Sequence, residues 1–119
     1  MKKNLILIFL ALIYLALFFI SCASSPVDDQ IKLGLWASEK GLWNEAIFRW
    51  KKALALNPNS VVAHNNLAVA YETKGLFKEA LQEYERALEL SPENSHVKMN
   101  YQNCKENLNP AKKESNEEK

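Results

Sequence analysis

Apolar and polar positions follow three different rhythms along this chain. Leu5 to Ile20 is an uninterrupted apolar run without a charge, preceded by Lys2 and Lys3. From Ile31 onward apolar residues recur every three or four positions, the spacing of helices that bury one face. From Asn109 to Lys119 the chain is almost wholly polar, with Pro110 and a run of charges. The middle region predicts five helices. The first ends at Gly41, because glycine adopts the left-handed backbone of a helix stop without steric cost. A second starts near Asn44, the expected N-cap, with Ile47, Trp50 and Leu54 along one face, and closes before Pro58. A third runs from Val61 to Lys74 and turns at Gly75. A fourth runs from Phe77 to Leu90, before Pro92. A fifth spans Ser95 to Leu108, with Val97, Tyr101, Cys104 and Leu108 as its apolar stripe.

Part of this pattern occurs twice. Shifted by 34 positions, residues 41–60 fall on residues 75–94. Gly41, Leu42, Glu45, Ala46, Ala53, Leu54, Leu56 and Pro58 then meet identical residues. Trp43 meets Phe77, Trp50 meets Tyr84 and Lys52 meets Arg86. A period of this length is the mark of stacked supersecondary units, each burying its face against its neighbours.

The unit resembles the tetratricopeptide repeat, which places Trp, Leu, Gly, Tyr, Ala, Phe, Ala and Pro at fixed spacings over 34 residues. Those positions hold Gln30, Leu33, Gly34, Ala37, Ala46, Trp50, Ala53 and Pro58 in the first unit. In the second they hold His64, Leu67, Ala68, Tyr71, Ala80, Tyr84, Ala87 and Pro92. Gln30 and Ala37 depart from the aromatics expected there. The resemblance implies an all-α fold: two helix-turn-helix repeats and a C-terminal capping helix in a short right-handed solenoid. Gly34 or Ala68, with Ala46 and Ala80, would let paired helices approach, and Trp50 and Tyr84 would fill the gap left. The repeat domain is expected over 30–108, with repeats at 27–60 and 61–94 and the cap at 95–108. A disordered charged tail is expected over 109–119.

The N-terminus carries its own signal. The 16 apolar residues would make a helix of roughly 24 Å, against ~30 Å for a hydrocarbon core. Phe19-Ile20-Ser21-Cys22 follows the run. A small residue directly before a cysteine resembles the lipobox of bacterial lipoproteins, although Phe19 stands where that family prefers Leu. The resemblance implies cleavage after residue 21 and acylation of Cys22. An uncleaved signal anchor and simple secretion are the alternatives. Residues 22–29, small and polar with Pro26, are expected to be a tether.

Composition narrows the function. The formal net charge is +1; without Lys2 and Lys3, 13 basic residues face 14 acidic ones. A near-neutral chain with two arginines and no interleaved basic-aromatic face disfavours nucleic acid. Cys22 and Cys104 are too few for a disulfide framework and too far apart for a metal motif. No glycine-rich phosphate loop, metal ligand set or catalytic constellation is present, so no cofactor, no metal and no enzymatic activity are expected. His64 sits where a structural histidine is expected, His96 at an exposed helix start, and Cys104 on the apolar stripe.

In the repeat family, partners bind the concave groove lined by the first helix of each unit. The matching residues here are Ile31, Leu35 and Ser38, then Asn65, Val69 and Glu72, then Met99 and Asn103. One use of that groove grips a partner's C-terminal carboxylate with Lys, Asn and Arg. Its positions hold Ile31, Leu35, Asn66, His96 and Asn100, and only Asn66 matches, so that use is not expected. Trp36 either fills the open end of the first repeat or anchors an interface. A partner or self-association is expected to cover Ile31, Leu35 and Trp36. The expected function is a membrane-anchored adaptor of a bacterial cell envelope, binding a protein or peptide in the groove. The alternative is a ligand-binding or transport accessory.

Overall fold

The computed structural model describes residues 1–20 and 25–109. The expected lipidation site Cys22 and the charged tail from Pro110 lie outside them. The described chain forms six helices: α1 (Lys2–Ile20), α2 (Pro26–Glu39), α3 (Trp43–Leu56), α4 (Val61–Thr73), α5 (Phe77–Leu90) and α6 (Ser95–Leu108). Helix-on-helix packing joins α2 to α3 and α4 to α5 within the repeats, and α3 to α4 and α5 to α6 between them. This is the short helical-repeat solenoid that the 34-residue period implies. Among the described residues no helix is long and apolar enough to cross a membrane.

Helix starts follow two chemistries. Ser25, Ser60 and Asn94 accept hydrogen bonds from the backbone N–H of Asp28, Ala63 and Val97, capping α2, α4 and α6. Pro26 stands in the first turn of α2, where no backbone donor is required, beside Asp28 and Asp29, which favour the positive end of the helix. The tether expected over 22–29 is therefore too long: Pro26 to Asp29 are already helical, because Ser25 supplies a cap and Pro26 a preset backbone angle.

The starts of α3 and α5, the second helices of the two repeats, have no side-chain cap. Each follows a tight glycine turn. Gly41 and Gly75 have φ of 71° and 74°. The Gly41 N–H donates to Ser38 O, and the Leu42 N–H to Ala37 O. Gly75 and Leu76 repeat both bonds to Glu72 and Tyr71. These reversed bonds satisfy the last carbonyls of one helix and lead directly into the next. Asn44 is accordingly not the N-cap: α3 starts at Trp43, and Leu42 occupies the cap position. The Asn44 side chain instead accepts a hydrogen bond from Lys74 Nζ at 2.7 Å, linking the two glycine turns.

The core forms two adjoining clusters. Ala37, Ala46, Trp50, Leu67 and Ala70 join repeat 1 to α4. Ala68, Ala80, Tyr84, Ala87, Val97 and Cys104 join repeat 2 to α6. Small residues set the helix spacing and one large aromatic per repeat fills it, as the repeat resemblance implies. At Gly34 a side-chain carbon would collide with the Trp50 indole, and Trp50 Nε1 donates to Ile31 O at 3.3 Å. In the second repeat the smaller Tyr84 leaves room for Ala68.

Candidate partner-binding groove

The first helices of the units, α2, α4 and α6, also touch one another in sequence, α2 to α4 and α4 to α6. Residues three or four apart on each share a face, and these adjoining faces are the candidate groove. On α2, Ile31 is half-buried and Leu35 is 43% exposed. Ser38 is held at the end of that face by donating to Leu35 O at 2.7 Å. On α4, Asn65, Val69 and Glu72 are all half-buried. On α6, Met99 is 56% exposed, and Asn103 is exposed with its amide free of hydrogen bonds to the described residues.

Two hydrogen bonds tie α4 to α6 along this face. Asn100 Nδ2 donates to Asn65 Oδ1, and Asn107 Nδ2 donates to Glu72 Oε1, both at 3.1 Å. Each bond spans 35 residues, one more than the repeat period, so a residue on α4 meets the next position on α6. Sequence reasoning named Asn65 and Glu72 but missed Asn107, and it gave Asn100 no role on the face itself. The offset of 35 was the available signal.

Glu72 lies where α4 meets α5 and α6. Its other oxygen, Oε2, accepts from the buried Tyr84 hydroxyl at 3.1 Å. Burial first and the Glu72 charge second push the Tyr84 phenol above its usual value. The same two causes push the Cys104 thiol up to about 11. Cys104 is fully buried, its thiol pointing at Phe77 O, a structural thiol rather than a reactive one. His64 is 8% exposed. Its Nε2 donates to Pro58 O at 2.8 Å, because a carbonyl can only accept, and Nδ1 lies 2.6 Å from Glu83 Oε2. That pair fastens the Pro58 loop to α4 and α5. His96 is exposed.

A TPR repeat family model matches residues 38–75, and a tetratricopeptide repeat model matches residues 61–94. This chain carries tetratricopeptide repeats. A solved structure of similar fold is the TPR domain of Arabidopsis OM64, at 22% sequence identity and a TM-score of 0.66. The match covers 69% of this chain and 68% of that one. No curated protein matches the chain. Tetratricopeptide repeats are protein-interaction modules.

Trp36 lies away from the groove. It is 53% exposed and, with Gly41, Leu42, Trp43, Asn44, Glu45 and Lys74, lines an open cleft of about 720 Å³ at the turn end of the repeats. The cleft mixes aromatic, amide and charged groups, unlike the long apolar pocket that a small-molecule carrier would show.

Proposed function

We propose that this protein is a membrane-anchored interaction scaffold of a bacterial cell envelope, which holds a segment of a partner protein in the α2–α4–α6 groove. The observation that carries it is the groove itself. Leu35, Val69 and Met99 offer apolar contacts, and the Asn103 amide is free to hydrogen-bond an extended backbone. The anchor is supported by the sequence Ser21-Cys22 after an apolar run. Acyl chains on Cys22 would hold the repeats at a membrane, each buried methylene contributing ~0.8 kcal/mol.

Two measurements test the two halves separately. Mass spectrometry of the mature N-terminus is expected to find Cys22 first and acylated; an intact Met1 would remove the lipid anchor. Affinity capture from detergent-solubilised membranes is expected to retain a protein with the wild-type chain and lose it with Leu35→Glu. Equal capture by both would move the partner away from the groove.

A further inference from the structure

The half-buried carboxylates separate into two kinds. Among the described residues they are Glu45, Glu72 and Glu83. Glu45 pairs with Arg49 at 2.7 Å and Glu83 with His64 at 2.6 Å. Glu72 has neutral donors, the Tyr84 hydroxyl and the Asn107 amide, and pairs with no lysine or arginine among the described residues. An ionised carboxylate offers about four lone-pair sites, so two remain. A partly desolvated charge without a counter-charge is costly, and it attracts a cation more strongly than a fully exposed one does. The Glu72 charge is also felt by the buried Cys104 thiol behind it. The carboxylate sits on the same helix face as Val69 and Asn65, at the end of that face where α4 meets Asn107 of α6.

We propose that the groove takes a segment of a partner protein that presents a lysine or arginine to the Glu72 carboxylate. The proposal rests on the groove reading above and gives it a chemistry. Flanking apolar side chains of the partner lie over Leu35, Val69 and Met99, and the Asn103 amide bonds the partner's backbone. An arginine uses both remaining lone-pair directions of the carboxylate, and a lysine uses one strongly.

The test uses the full chain in detergent micelles and four sets of short peptides. All are acetylated and amidated, so neither terminus is charged. They are random in apolar and amide residues around one central position, fixed as Lys, Arg, Gln or Glu. The Lys and Arg sets are expected to bind at least about tenfold more tightly than the Gln set, and the Glu set more weakly still. Added salt should erode that preference, and Glu72→Gln should abolish it. Gln can still accept from Tyr84, so the melting temperature should stay close to wild type. If Glu72→Gln does not fold, the salt dependence of the wild type decides alone. Equal, salt-independent binding of the Lys and Gln sets overturns the cation proposal and leaves the groove reading standing. Binding of no set by the wild type overturns both. Lys-set binding that appears only after residues 110–119 are removed also overturns it, because Lys112 or Lys113 of the chain itself would then be the occupant.

Discussion

Gly34 and Trp50 fit together in a way that a methyl group would break, and the second repeat shows the alternative fit, Ala68 with Tyr84. Overpacking a core contact costs ~1–3 kcal/mol, and alanine returns up to ~1 kcal/mol in helix propensity over glycine. The clash is the larger effect, because the obstacle is a ring fixed by its bond to Ile31 O. Gly34→Ala is therefore expected to lower stability by about 1 kcal/mol in urea unfolding. Trp50→Tyr in that background should cost less than it does alone, with a coupling of ~0.5 kcal/mol or more. Additive effects would mean that the two positions do not share one space. Cys104 supplies a second expectation at this scale. Its thiol is pushed up to about 11, by burial and then by the Glu72 charge. A raised value stabilises the folded state fully below the unfolded thiol's value, ~8.5, and that contribution disappears as pH rises towards the folded value. Alkylation of Cys104, followed by mass spectrometry at pH 8.5, should be slow in the folded protein and fast in urea. Wild type should lose more stability than Cys104→Ala between pH 9 and 11. Rapid labelling of the folded protein would contradict the buried thiol.

At the scale of elements, the two glycine turns carry the repeat geometry. At Gly41 and Gly75 an added side-chain carbon meets nothing within 4 Å, so substitution there is penalised by the backbone angle alone. Gly75→Val is expected to destabilise by more than ~1 kcal/mol, and Gly75→Asn by clearly less, because asparagine tolerates left-handed angles. Equal losses in thermal melts would point to packing instead. These turns also explain what was legible in the sequence. Gly41, Pro58, Gly75 and Pro92 punctuate the helices through backbone physics that needs no partner, so the boundaries of α4, α5 and α6 followed within a residue or so. Asn44 misled because capping propensity is local, whereas the turn that starts α3 is set by bonds back to Ser38 and Ala37. The groove positions on α2, α4 and α6 came from the repeat resemblance rather than from helical spacing. The hub at Glu72 was not legible, because it joins α4, α5 and α6 through Tyr84 and Asn107. Such a junction depends on how helices stack, and the period gives that only once the offset of 35 is known.

The whole solenoid has two unlike ends. On α2, Leu33 and Trp36 are 42% and 53% exposed. Their counterparts one period on, Leu67 and Ala70, are 1% and 0% exposed in the cluster that includes Ala46 and Trp50 of α3. The counterparts two periods on, Tyr101 and Cys104, pack with the α5 cluster. The α2 face is thus built like faces that another helix covers, yet it is uncovered. The opposite end, on α6, shows exposed Lys98, Gln102 and Lys105. Stacking one copy's α2 end on another's α6 end would bury lysines against Trp36, so head-to-tail growth is disfavoured. Pairing of two α2 ends about a two-fold axis buries apolar surface on both sides. Each Å² so removed from water contributes ~25 cal/mol before the cost of association. A soluble form beginning at Ser25 is therefore expected to melt at a higher temperature as its concentration rises. Trp36→Glu should remove that dependence and leave a monomer in sedimentation, because each copy would bring a charge into the contact. A melting temperature that ignores a hundredfold change in concentration would rule the pairing out. Since the α2 face and the groove use different residues of the same helix, Trp36→Glu should leave peptide binding at Glu72 intact. Loss of both together would show instead that the groove is completed only when two copies meet.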